Sequence, residues 1–149
     1  MRSINKDLTV YKAREFLEQD LPALMRMADR DVTSLSSPQL SWSTSHATGI
    51  NHASNTLIDH WSADVALEAI HDAAHHIPQF NDEREIFILT YFKHWTSREL
   101  QNKFVLSSST LRRRKNDALV EFAQRLDVQK VDPKHNCDWL HSLVVYYDD

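Results

Sequence analysis

From Thr96 to Leu119 the chain reads TSRELQNKFVLSSSTLRRRKNDAL, and the fold turns on how that stretch is read. It opens with a capping box. The Thr96 hydroxyl and the Glu99 carboxylate are spaced so that each satisfies an orphan backbone N–H at a helix start. The helix so begun is short and ends near Phe104. Val105-Leu106-Ser107 forms a turn, and Ser107 is placed to cap a second helix reaching about Leu126. Two helices separated by three or four residues, the second one basic, make a helix-turn-helix pattern, here over 96–126.

Turning about 100° per residue from Leu111 brings Ala118, Leu119, Phe122 and Leu126 to one face of the second helix. Ser109, Arg113 and Asn116 fall on the opposite face, with Arg112 at its edge. Arginine can pair bidentately with guanine and asparagine with adenine in a major groove. Ser107, Ser108 and the free N–H groups at the helix start suit phosphate oxygens. Arg114 and Lys115 flank the face, and Lys115 lies close enough to the apolar stripe that its stem must snorkel outward. The expected DNA-binding set is therefore Ser107, Ser108, Ser109, Arg112, Arg113, Arg114 and Asn116. A basic run alone would equally describe a solvated helix face. The capping box, the capped turn and the opposed faces together favour nucleic acid.

Charge follows the same division. The chain is net −4, yet residues 1–95 carry 13 acids and 8 bases, a balance of −5, and 118–149 carry 6 acids and 3 bases, or −3. Residues 96–117 carry 6 bases against 2 acids, or +4. Phosphate attraction is local and screened beyond about 8–10 Å, so this concentration outweighs the total.

Composition narrows the fold. One glycine and four prolines in 149 residues leave little material for tight hairpins or phosphate-cradling loops, which rely on glycine's access to positive φ. A P-loop and a dinucleotide fingerprint are excluded on the same ground. The expectation is an all-α protein, a helical bundle carrying a C-terminal helix-turn-helix and a separate N-terminal helix. A chain this long can bury a core without staples. Cys137, the only cysteine, rules out an intrachain disulfide and fits a reducing compartment. No run approaches the roughly 20 apolar residues of a membrane span, so a soluble cytoplasmic protein with no membrane partner is expected.

Outside the central stretch, Leu8, Tyr11, Phe16, Leu17, Leu21, Leu24, Met25 and Ala28 recur at helical spacing, with Pro22 marking a kink or a break. Residues 1–30 thus read as an N-terminal helical arm. Residues 31–54, rich in Ser, Thr, His and Asn, read as a flexible linker in which Trp42 is a docking residue. Residues 55–128 read as the helical domain. Its helices are expected over Asn55–Ile77 and after the cap-like Asn81-Asp82-Glu83, and Trp61, Phe87, Phe92, Trp95 and Phe104 form the core around the reading helices. In the tail, 129–149, Asp138 is placed to cap a short helix over Trp139 to Tyr147, while Val144-Val145 would equally suit a strand.

The stretch Phe80 to Leu119 resembles the promoter-reading C-terminal region of bacterial sigma factors. Asn81-Asp82-Glu83-Arg84-Glu85-Ile86 with Leu89 and Tyr91, Glu99-Leu100, Leu106-Ser107, Thr110-Leu111, Arg114 and Ala118-Leu119 carry the likeness. Up to about Val128 the chain is similar to the ArpU family of phage-encoded transcriptional regulators. Ser36-Ser37-Pro38-Gln39-Leu40, Ser109-Thr110 with Arg113 and Lys115, and Ala118-Leu119-Val120-Glu121-Phe122-Ala123 carry that resemblance. It implies control of late phage genes in a bacterial host. Val105 stands where that family has glycine. A β-branched residue resists left-handed backbone, so a remodelled turn is expected. Leu111-Arg112 replaces a pair of aromatics.

Nine histidines invite a metal reading. His71 and His75, and Asp72 and His76, lie four apart on one helix, and His135, Cys137 and His141 form a looser cluster. No third ligand or general base stands at a recognisable spacing, so these are read as surface histidines, with no metal, no cofactor and no catalytic residue expected. The function expected is a sequence-specific regulator of duplex DNA, a homodimer or higher oligomer, because one short helix contacts too few base pairs alone. The alternatives are an adaptor binding bacterial RNA polymerase or another regulator, and a phage DNA-packaging subunit.

Overall fold

The computed structural model describes residues 3–40, 55–137 and 139–147, without the side chains of 55–61, and its elements are helical. Helix α1, Lys6–Glu15, starts at Asn5, whose side-chain oxygen accepts from the Leu8 N–H at 3.1 Å. A π turn, Phe16–Asp20, joins it to α2, Leu21–Ala28. Pro22 explains the turn. It offers no N–H to the carbonyl four residues back and its ring crowds that carbonyl, so the ladder widens by one residue before α2 resumes. The expected break is there.

The separate N-terminal arm is not. Helix α1 packs along α6 and α2 along α3 (elements Ser108–Lys130 and Asn55–His75). Val10, Ala13, Phe16, Leu17, Leu21, Leu24, Met25 and Ala28 are buried in the same cluster as residues of α3 and α6. An apolar stripe this wide gains far more from covering a core than from standing in water. The linker also needs correction over residues 31–40. Asp31 caps a 3-10 turn, Val32–Ser36, by accepting from the Thr33 N–H at 2.9 Å, and Leu35 is wholly buried. Residues 41–54, including Trp42, lie outside the described residues.

Helix α3 runs through the middle of the bundle. Ala63, Ala66, Ala69, Ala73 and Ala74 are fully buried beside Leu67 and Ile70, and such small side chains let α2, α4 (Glu83–Tyr91) and α6 approach it together. Asp64, fully buried on α3, is held bidentately by Arg30, with Nε–Oδ1 at 3.2 Å and Nη2–Oδ2 at 3.1 Å. His71 and His75 reach back to the 3-10 turn, their Nε2 atoms lying 2.7 Å from the Ser37 carbonyl and 2.9 Å from that of Leu35. His71 and His135 are buried, not surface histidines. Burial also pushes the His75 imidazole below its ordinary pKa, although the Leu35 carbonyl opposes this.

Helix α4 follows a tight turn, Phe80–Asp82, in which Asn81 and Asp82 are both left-handed, at φ 55° and 58°. Asp82 precedes the helix as expected but makes no side-chain cap bond. Phe87 of α4 stacks on Phe122 of α6 at 4.8 Å and meets Phe92 edge-on at 5.7 Å, an arrangement that adds about 0.5–1.5 kcal/mol per pair beyond area burial.

Helix α6 runs on to Lys130, past the expected end at Leu126. The tail then forms no helix among its described residues. It returns in extended form to the chain's start, with an isolated antiparallel bridge between Ile4 and Tyr146. The Asn5 N–H donates to Val145 at 2.7 Å, Tyr147 donates to Ser3 at 2.9 Å, and the buried Thr9 hydroxyl accepts from the Val145 N–H at 2.9 Å. Cys137, Leu140, Leu143 and Val144 of this strap are buried. No described helix is long and apolar enough to cross a membrane.

Candidate nucleic-acid interface

Helix α5, Ser97–Phe104, begins at the capping box read from sequence. Thr96 Oγ1 accepts from the Glu99 N–H at 3.2 Å, and Glu99 Oε1 accepts from the Thr96 N–H at 2.8 Å. The turn Val105-Leu106-Ser107 follows, and Ser107 Oγ accepts from the Thr110 N–H at 3.2 Å to start α6. The turn is not remodelled. Val105 takes the left-handed conformation itself, at φ 54° and ψ 60°, with its side chain 87 % exposed. The Leu106 N–H, donating to Gln101 at 3.0 Å, closes the helix end around it.

These two helices rest on a second, smaller core. Ile86, Leu89, Leu100 and Leu111 are buried in it, with Trp95, Phe104 and Leu106 packed against them. The aromatic set expected around the reading helices therefore divides. Phe87 and Phe92 belong to the main core, Trp95 and Phe104 to the small one, and the Trp61 side chain lies outside the described residues.

Leu111 faces the small core, and the opposite side of the first turns of α6 faces water. Ser108, Ser109, Arg112 and Arg113 are exposed. Neither Arg112 nor Arg113 has a hydrogen-bond or ion-pair partner among the described residues. Two guanidinium groups held this way keep all their donors available for a base edge or a phosphate. The N–H groups of Ser108 and Ser109, at the first helical positions, have no partner four residues back. Ser107 is more committed than expected, since its hydroxyl also bonds Thr110 Oγ1 at 3.0 Å.

Two of the expected residues are less exposed than the rest. Asn116 is half-buried, and its Oδ1 accepts from Arg14 Nη2 at 3.2 Å. Its amide oxygen is thus engaged with α1, because α1 crosses α6 at that height. Lys6 does the same to Asp117, at 3.0 Å. Arg114 is half-buried on the side of Glu83, and its charge favours the ionised Glu83 carboxylate. Burial, followed by Asp117 and Glu121, nevertheless pushes that carboxyl above its usual pKa. Lys115 is half-buried as its place by the stripe implied. Burial lowers its pKa, helped by Arg14 and opposed by Glu18.

Arg98, one of the six bases counted in residues 96–117, and Lys93 are also exposed beside the capping box. They stand in the first turn of a capped helix and in the loop before it. No family model, no curated protein and no solved structure matches this chain.

Proposed function

We propose that the chain is a sequence-specific DNA-binding transcriptional regulator, phage-encoded and acting on late genes in a bacterial host cell. Arg112 and Arg113 read the major groove, and Ser108, Ser109 and Arg98 position the phosphate backbone. The observation that carries this is the pair of guanidinium groups, without a partner among the described residues, on the outer face of a capped helix whose inner face, at Leu111, is seated on a core. The phage and promoter parts of the reading rest only on the sequence resemblance carried by the residues quoted above.

One reading helix covers few base pairs, so the working unit is a dimer on paired half-sites. Exposed Leu8 and Tyr11 on α1, with Tyr146 and Tyr147 nearby on the strap, offer apolar surface for it.

Selection from a random duplex library, followed by a salt titration on the selected site, tests the proposal. A steep log–log salt slope and a preferred sequence are expected. Arg113→Ala should cost about 1–3 kcal/mol at one base position, and equal affinity of the variant and the parent would refute the assignment. A second reading has one observation in its favour: the Asn116 amide oxygen is engaged within the molecule by Arg14. On that reading the chain is an adaptor whose basic helix meets an acidic surface of RNA polymerase. Weak DNA binding without sequence preference would select it.

A further inference from the structure

We propose that Glu68, Asp72 and His135 form a binding site for a divalent transition cation, zinc by preference, joining α3 to the C-terminal strap. The inference does not depend on the DNA-binding reading. Glu68 and Asp72 stand four residues apart on one face of α3, the spacing at which two side chains reach a common point. The turn after α6, closed by the His135 N–H on the Asp132 carbonyl at 2.9 Å, brings an imidazole to the same point. Nε2 of His135 lies 3.1 Å from Asp72 Oδ2 and 3.5 Å from Glu68 Oε1. The three ligand atoms all fall within 4.8 Å of one another. Donor atoms sharing a metal at about 2.0–2.2 Å sit roughly 3.0–3.6 Å apart, so both imidazole–carboxylate separations already have coordination dimensions.

The surroundings are those of a ligand set. His135 Nδ1 lies 2.9 Å from the Gln129 carbonyl, the contact that turns a metal-binding imidazole and fixes which nitrogen faces the ion. Asp72 is steadied in the same way, its Oδ1 lying 2.8 Å from Nδ1 of His71, which is itself held by Ser37. The His135 side chain is 1 % exposed, whereas one side of the cluster opens to water. On that side Lys134 places its ammonium 3.3 Å from Asp72 Oδ2 and 3.7 Å from Glu68 Oε1, on a side chain 62 % exposed. A tethered single charge thus holds the two carboxylates that a divalent ion would take, and its exposed side chain can swing into solvent when displaced. Two carboxylates and one imidazole suit zinc above manganese or magnesium, from the nitrogen donor and the affinity order of divalent ions.

Lys134 separates this site from an ordinary ion network. In a network its ammonium is a needed partner; in a metal site it is a competitor. The test uses the full chain, stripped with a chelator and titrated with cobalt(II), whose visible d–d bands report coordination, then with zinc as displacer. One equivalent of cobalt per chain is expected, displaced by zinc. Lys134→Met should bind about tenfold more tightly once the competing charge is gone. Uptake should fall at least about tenfold in His135→Gln and in Glu68→Gln. Glu68→Gln keeps the test decisive if the buried histidine variant does not fold. Absence of stoichiometric uptake by Lys134→Met, or uptake undiminished in the folded ligand variants, overturns the proposal.

Discussion

Replacing Val105 by glycine should stabilise the protein. Val105 holds φ 54° and ψ 60° between α5 and α6, a region that costs a residue bearing a Cβ about 1–2 kcal/mol and suits β-branched residues least. Glycine removes that cost. Against it stands the wider unfolded ensemble of a glycine chain, about 0.5–1 kcal/mol. Because the valine side chain is 87 % exposed, its removal forfeits little burial. The net gain is about 0.5–1 kcal/mol, or about 2–3 °C in Tm for a chain of this size. Thermal unfolding followed by circular dichroism or calorimetry measures it directly. Val105→Ala serves as the control: it removes the branch but keeps the Cβ, so its gain should be smaller. A Tm for Val105→Gly equal to or below that of the parent would refute the reasoning, because it would mean that the left-handed turn carries no strain to relieve.

Three further outcomes are expected. Asn116→Ala should change DNA affinity by less than about 0.5 kcal/mol, since its amide oxygen is engaged with Arg14; a loss as large as that of Arg113→Ala in the same binding assay would return Asn116 to the reading face. Arg30→Ala should destabilise by about 1–3 kcal/mol, measured by denaturant titration, because it removes a bidentate guanidinium from a fully buried Asp64; no measurable cost would contradict this. Glu83, whose pKa is raised first by burial and then by Asp117 and Glu121, against Lys6 and Arg114, should lower stability as pH rises through the window just above the usual carboxylate range. Glu83→Gln should accordingly raise Tm at pH 7 and lose that advantage under acid, where the parent carboxyl is protonated; a Tm difference independent of pH would count against it.

Local chemistry was legible in the sequence wherever donor and acceptor lie within a few residues. The Thr96–Glu99 box, the Ser107 cap and the inward face of Leu111 all follow from spacing alone. What could not be read was the partner of each apolar stripe. The stripe on α1 is the same whether it covers a second copy or its own α6, and only the fold shows the latter. From that one choice follow the Arg14 bond to Asn116 and the diversion of an expected reading residue. Val105 misled in the opposite direction: the steric rule was sound, yet the helix end and the capped serine on either side hold the valine left-handed rather than yielding to it. The meeting of His135 with Glu68 and Asp72 was equally out of reach, since it depends on where a strap 63 residues further along the chain comes to lie.

Helix α6 is anchored at two depths, through Leu111 in the small core and through Ala118, Leu119, Phe122 and Leu126 in the large one. Its 23 residues make one beam about 35 Å long, with no joint between the exposed arginines and the clamped end. A load applied at Arg112 and Arg113 is therefore borne by the whole body as torque rather than absorbed by a pivot. The angle at which the tip meets a surface is set in advance by the mass behind it, so little orientational freedom remains to be lost on contact.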